Sequence, residues 1–488
     1  MGWTGDAQVF SKTASYLHDC YAFYEKYLYD ISQEQKRKAG KVPNFIPSFG
    51  DEGTSSVWGD AVCIIPWNVY VFSGDKRILE KTFPSMVSWL SYIQKIDEKN
   101  NGWNDVFHFG DWLALDKKNG VKNEVMGATP VDYIARVYYL NSLRIAAKTA
   151  SILGEQEQAE TFDQRSHSLA QYIREEYFSM NGRSVIQTQT GLLMALAFDL
   201  IDPKDKIIQA LLNKFEETNH KLDTGFIGTS MICNVLTENG MEDLAYELLL
   251  NEEFPGWLYA VNLGATTVWE RWDSVLPDGS ISDSGMNSLN HYSYGSIVEW
   301  LFKHGAGIQP CEDEPGMRKV KLAPKLNWAL KTLSCGYKSP SGDYHIQWEL
   351  IDGNHVKIDI EVPFNCEAAL ILPHIRLADY ISSDNPMFDY LVDDCCILLP
   401  GKYTVTYETT KNFKKIYNTF TPIKELLYHS KVKKFLAENS PTIFDVPLEM
   451  RHLSMREMAE NYIGNDAVMK KQITQQFDQL DEVLEQIV

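Results

Sequence analysis

In the stretch TTVWERW, residues 266–272, Glu270 lies between Trp269 and Trp272 with Arg271 beside it. An isolated glutamate implies nothing. A carboxylate held between two indoles in a Gly-flanked stretch fits a catalytic base in a partly desolvated pocket, where surroundings tune proton affinity. Asp60 in WGDA and Asp111 in GDW repeat one theme, an acid beside glycine and tryptophan. Glycine lets the backbone approach a ligand closely. The indole and carboxylate together suit a ligand with a C–H face and hydroxyls, such as a sugar. The same two aspartates can instead cap helices. His291 in NHYSYG can donate to a hydroxyl, or sit buried and satisfied. The opening MGWTGD adds Trp3 and Asp6 around a threonine and two glycines, a loop suited to holding a ligand. Nothing resembles a phosphate loop, a dinucleotide fingerprint, HExxH or GxSxG. No cofactor or metal is expected.

Composition narrows the class. A chain of 488 residues is too long for one ordinary core, and 44% hydrophobic content allows a large buried interior. A formal charge of −20 argues against nucleic acid and against anionic membrane surfaces. Twelve Trp, 25 Tyr and 22 Phe serve either a large core or sugar stacking. The eight cysteines show no CxxC spacing and Cys395 adjoins Cys396, which fits reduced thiols and a cytoplasmic location better than a disulfide framework. No apolar run is long enough to span a bilayer, and no signal peptide appears.

These residues need elements to position them. Up to about Lys303 the pattern is helical: Met86, Trp89, Leu90, Ile93 and Ile96 share one face, as do Leu244, Ala245, Leu248 and Leu249. In ATPVDYIARVYYL, Thr129 is expected to cap a helix with Pro130 in its first turn and Asp132 at its third position. Gly-, Trp- and Asp-rich loops recur between paired helices, which points to a barrel of helical hairpins with one functional rim. After Pro310 the period becomes two. Tyr344, Ile346, Trp348 and Leu350, then Val356, Ile358, Ile360 and Val362, predict a β-hairpin with one buried face, within a β-sandwich reaching about Thr409. The chain then turns helical again. Ser454–Glu457 reads as a capping box. Ile473, Phe477, Leu480, Leu484 and Ile487 form a stripe that docks on the chain's own body or supports a homodimer. The expected domains are 1–307, 308–410 and a helical extension, 411–488.

The ordered motifs GWTGDAQVFSKTAS, WGDAVCIIPW, FGDWLALD, LDTGFIGTS, GATTVWERWDS and GMNSLNHYSYGSIVEWL resemble those of bacterial α-L-rhamnosidases of glycoside hydrolase family 78. The resemblance continues more weakly through VKLAP, SPSGDYHIQW and GKYTVTYE. It implies a mainly α fold, an (α/α)6 barrel followed by an antiparallel β-sandwich, and inverting hydrolysis of terminal α-L-rhamnosides or oligosaccharides. By that resemblance Glu270 matches the general base and Asp6 a sugar-contacting aspartate. Trp3 and Trp67 match positions shaping the sugar pocket, and Trp112 and His291 join them.

The family's general-acid glutamate lies seven residues before the aspartate that Asp6 matches, in a D-C-P-x-x-E-type stretch. No residue here matches it, and the family's upstream β-domains have no counterpart. The resemblance therefore implies the C-terminal portion of a rhamnosidase, slow or inactive alone on poor leaving groups. The alternative is a non-catalytic rhamnose-binding or partner protein. A hydrolase for glucosides or uronides on the same barrel fits the motif order less well.

Overall fold

A computed structural model describes residues 2–50, 53–97, 103, 106–117, 125–282, 286–376, 394–447, 450–463 and 467–486. Helices come in pairs: α1 (Thr4–Leu17) and α2 (Tyr21–Arg37), α3 (Ala61–Ser73) and α4 (Arg77–Ile96), α5 (Val131–Leu153) and α6 (Gln156–Tyr177). The pairs α7 (Gln189–Ala197) and α8 (Asp205–Glu217), and α9 (Phe226–Glu238) and α10 (Glu242–Leu249), follow. After the short α11 (Trp257–Asn262), a last segment runs from a 3-10 turn at Ser293–Ser296 through α12 (Ile297–Trp300) to a π turn at Leu301–Gly305.

Sequence separates an inner from an outer ring. A helix buried all round must be apolar all round, whereas an outer helix needs one stripe. In α3, every residue from Ala61 to Phe72 is buried, and α7 is buried from Gln189 to Leu196. By contrast α8 buries only Ile207, Leu211 and Phe215, spaced by four. The ring closes where Thr13 Oγ1 of α1 donates to Ser296 O at 3.1 Å. The motif loops precede α1, α3, α5, α9 and the last segment, so they gather at one rim, where inner helices begin.

Met86, Trp89, Leu90 and Ile93 are fully buried as expected. The start of α5 differs. Thr129 spends its hydroxyl on Thr188 Oγ1 at 2.6 Å, and Pro130 is the N-cap rather than the first helical residue. Asp132 accepts from the Tyr177 hydroxyl at 2.6 Å. A tertiary partner displaced the local cap.

Strands β1 (Gly2–Trp3) and β2 (Phe45–Ile46) pair within the barrel, which abuts two four-stranded sheets. One is ordered β10-β7-β6-β5, with β5 (Thr332–Ser339), β6 (Gly342–Leu350), β7 (His355–Val362) and β10 (Gly401–Glu408) all antiparallel. The predicted hairpin is in register, Ile346 opposite Ile360 and Trp348 opposite Ile358, and all eight expected inward residues are buried. The second sheet is ordered β3-β4-β8-β9, with β3 (Ile308–Pro310), β4 (Lys319–Leu322), β8 (Glu367–Ile371) and β9 (Cys395–Leu398); its β4–β8 pair is parallel.

Four helices follow: α13 (Ile423–Tyr428), α14 (Ser430–Asn439), α15 (Met455–Ile463) and α16 (Ala467–Leu484). Ile423, Leu426, Val432, Leu436 and Leu484 form a separate small cluster, with Leu480 packed against it. Part of the α16 stripe is thus covered from within the chain; Ile487 lies outside the described residues. The capping box closes in both directions, Ser454 N to Glu457 Oε2 at 2.7 Å and Glu457 N to Ser454 Oγ at 3.2 Å. The extension docks on the barrel through Lys424–Glu216 at 2.9 Å, Lys433–Glu253 at 2.6 Å and Lys411–Asp243 at 3.3 Å. Tyr428 stacks on His220 with centroids 3.8 Å apart.

Candidate active site

The first helix is anchored at the rim by a two-residue strand, with Gly2 opposite Ile46 and Trp3 opposite Phe45. This fixes Trp3, half-buried, at centroid distances of 5.1 Å from Phe45 and 6.0 Å from Phe109. Phe109 also lies 4.4 Å from Trp58 and 5.1 Å from Trp112. Three rim loops far apart in sequence thereby build one aromatic wall around Phe109. Gly5 is required in it, because a Cβ there would lie 2.4 Å from the Trp58 ring. The buried Trp58 Nε1 has no acceptor among the described residues.

Asp6, in the first turn of α1, is buried and pairs with His291, Oδ1 to Nε2 at 2.8 Å. His291 Nδ1 accepts from Ser293 N at 3.4 Å, so Nε2 carries the proton that it donates to Asp6. The backbone N–H of His291 in turn donates to Val268 O at 2.8 Å. Two residues on, Glu270 N donates to Ser288 O at 2.9 Å, and Ser288 N donates to Glu270 Oε2 at 2.7 Å. Glu270 and His291 therefore ride on two antiparallel segments joined by backbone bonds, and His291 carries the connection to Asp6. One oxygen of the half-buried Glu270 is oriented by a backbone amide; Oε1 has no hydrogen-bond partner among the described residues. Phe226 links this strip to the aromatic wall. Its ring lies 5.3 Å from that of His291, and its N–H donates to Trp112 O at 2.9 Å.

Asp60 and Asp111 are used internally, which corrects the expectation of ligand-facing carboxylates. Asp60 accepts from Val57 N at 2.8 Å, Trp89 Nε1 at 3.0 Å and Ser142 Oγ at 2.7 Å. Asp111 accepts from Gly225 N at 2.9 Å, Ile227 N at 2.8 Å, Gly228 N at 3.3 Å and Thr190 Oγ1 at 2.5 Å. It caps α9 from 114 residues away. The reason is steric. Gly225, at the N-cap position, has the backbone of Trp112 and Ala114 where a Cβ would stand, at 2.2 and 2.7 Å, so the capping group must come from elsewhere. Burial pushes the pKa of both aspartates up, and their hydrogen bonds oppose it.

The tryptophans divide. Trp3 and Trp112 stand in the wall. Trp269 and Trp272 are buried. Trp272 stacks on Tyr294 at 4.2 Å and donates Nε1 to Thr224 O at 3.1 Å, bracing the Glu270 loop against α9. Trp67 sits apart from the rim group. It faces Lys148 near the far end of α5, with Nζ 5.3 Å from its ring, and Lys148 pairs with Glu312 at 2.9 Å beside the first sheet strand.

Residues 1–304 match the model of the bacterial alpha-L-rhamnosidase 6 hairpin glycosidase domain, and residues 307–383 match the bacterial alpha-L-rhamnosidase C-terminal domain. The chain belongs to the bacterial α-L-rhamnosidase family. An alpha-L-rhamnosidase of Alteromonas sp. (strain LOR) is 37% identical over 378 residues, covering 76% of this chain and 40% of the relative. One from Formosa agariphila is 36% identical with the same coverage. Among solved structures, the Streptomyces avermitilis alpha-L-rhamnosidase complexed with L-rhamnose superposes with a TM-score of 0.75 at 30% identity, covering 83% of this chain and 38% of that one. The chain spans about two fifths of the length of the curated relatives it matches.

Sequence reasoning missed Trp58 and Phe109. Trp58 is the indole of WGDA, where the acid carries the more obvious chemistry; Phe109 gives no signal, because a hub is defined only by what folds around it. A further missed pair is Asp116 and Asp223, on the loops that precede α5 and α9. Leu115 N donates to Asp223 O at 2.7 Å, tying the loops together. Burial and the nearby Asp223 and Asp111 carboxylates raise Asp116 to about 8; burial raises Asp223 to about 7, with Lys214 opposing and Asp111 adding.

Proposed function

We propose that this chain supplies the catalytic barrel of an inverting α-L-rhamnosidase. Glu270 acts as general base, its free Oε1 taking a proton from the water that attacks the anomeric carbon. Asp6 and His291 hold sugar hydroxyls. Trp3, Phe109 and Trp112 receive the apolar face of the 6-deoxy sugar. The observation carrying this reading is the continuous strip Asp6–His291–Val268–Glu270, which ties a carboxylate whose second oxygen is unpaired among the described residues to a histidine–aspartate pair beside an aromatic wall.

Inversion requires a proton donor roughly 6.5–9.5 Å from the base, leaving room for the water between them. An aryl rhamnoside, whose leaving group needs little proton assistance, isolates the contribution of the base. The test is Glu270→Gln on an activated aryl rhamnoside. The expected fall in kcat is about 10²–10⁴-fold, with rhamnose binding retained and the β anomer formed first by the unaltered chain in NMR. Unchanged turnover in the variant, or the α anomer first, overturns the assignment. Binding without any hydrolysis by the unaltered chain supports the rhamnose-binding alternative.

A further inference from the structure

Away from the rim, the outer wall carries a cavity of about 430 Å³ between α4 and α6, floored by α5. Its lining includes Gln94 and Asp97 at the end of α4, Tyr139 on α5, and Gln164, Arg165 and Tyr172 on α6. The volume falls within the range of about 300–1,000 Å³ typical of small-ligand sites. None of these residues belongs to the strip or the aromatic wall described above.

The lining states what the occupant must be. Among the six residues named, one guanidinium and one carboxylate balance, so no excess charge selects a phosphate or an amine. A wholly apolar guest would offer no hydrogen bond to the polar edge that Gln94 and Gln164 give the cavity. The two phenol rings are already braced. Arg136 packs over Tyr172, with its guanidinium carbon 4.6 Å from the centroid, and Arg165 lies 5.8 Å from the Tyr139 centroid and bonds to the Tyr139 hydroxyl. Rings fixed before binding lose little freedom when a ligand arrives. Leu143 and Leu169 add apolar surface at the base. Flat aromatic faces, aliphatic floor and a mixed rim of donors and acceptors match a pyranose, which has C–H faces and hydroxyls around its edge.

We propose that this groove is a second saccharide-binding site, taking one neutral hexose or deoxyhexose ring of a larger glycan and acting independently of Glu270. Two sites on one barrel would hold a branched glycan by raising the effective concentration of the second contact.

The test is affinity electrophoresis of the full chain in gels containing a neutral α-rhamnan or a neutral β-glucan. Ser168→Trp fills the groove from an exposed position on α6. Gln164→Ala removes a polar contact without filling it, and circular dichroism checks that both variants fold. The wild-type chain is expected to be retarded in at least one gel. Ser168→Trp should raise its apparent dissociation constant at least fivefold, Gln164→Ala by less, and Asp6→Asn should leave residual retardation that Ser168→Trp removes. No retardation of the wild-type chain in either gel, unchanged retardation of Ser168→Trp, or complete loss on Asp6→Asn alone overturns the proposal. The last result assigns all binding to the rim and leaves the proposed activity intact.

Discussion

Asp111 offers the sharpest separation between a structural and a ligand-binding aspartate. Its carboxylate accepts three backbone N–H groups at the start of α9 and the Thr190 hydroxyl, and it is almost completely buried. Hydrogen bonds to a charged acceptor contribute about 1.5–3 kcal/mol each, and a buried donor left without a partner costs about 1–3 kcal/mol. These terms overlap, because the α9 amides are partners in one and orphans in the other. Removing the side chain should therefore cost about 4–6 kcal/mol, near the range of about 3–5 kcal/mol for breaking a buried ionic arrangement. Asp111→Asn keeps one acceptor oxygen and should cost about 2–3 kcal/mol. Urea unfolding followed by circular dichroism gives both differences from midpoint and slope. Rhamnose binding by the folded fraction should stay within about threefold of the parent for Asp111→Asn, since about 0.65 kcal/mol separates those affinities. If Asp111→Ala unfolds within about 0.5 kcal/mol of the parent, as an ordinary surface substitution does, while losing rhamnose affinity tenfold, the capping argument is wrong and Asp111 is a sugar ligand.

Two further outcomes follow from the same geometry. Gly5→Ala forces a methyl group against the Trp58 ring; the expected cost is about 1–3 kcal/mol by thermal unfolding, together with a changed tryptophan emission from the displaced wall. An unshifted spectrum and midpoint would mean the wall does not rest on Gly5. The Asp116–Asp223 pair sets a pH dependence, with Asp111 and Lys214 the other charges acting on it. Both folded-state values, about 8 and about 7, lie above the roughly 3.9 of the unfolded chain. Between about pH 4 and pH 8 the native state therefore holds protons that the unfolded state has released, and stability falls as pH rises through that window. Asp223→Asn should flatten the fall and stabilise the protein at pH 9 by about 1–3 kcal/mol. A variant with the same pH profile as its parent would show that Asp223 does not hold a raised pKa in the folded chain.

Periodic features were legible because they depend only on neighbours along the chain. The stripe of α4, the β6–β7 hairpin with its eight inward residues and the Ser454–Glu457 box all belong to this class. Roles set by distant partners were not. Asp60 and Asp111 occupy near-identical local contexts in WGDA and GDW, and nothing local says that Trp89, Ser142 or the amides of α9 will consume their oxygens. Thr129 looked like a cap, yet Thr188, 59 residues later, took its hydroxyl. Trp67 reads like any other indole near a motif; its side of α3 is decided by where Lys148 and Glu312 come to lie. The resemblance placed Asp6 and His291, 285 residues apart, in one sugar pocket, but no spacing signals that they pair.

Residues 411–488 meet the barrel across a seam with a consistent polarity: Lys411, Lys424 and Lys433 on one side, Asp243, Glu216 and Glu253 on the other. Elsewhere a chain of charge −20 repels itself, so dissolved ions relax it. At this seam the same ions screen attractions between partly exposed groups. One molecule thus answers ionic strength in two opposite senses, tightening as a whole while its terminal helices slacken their hold.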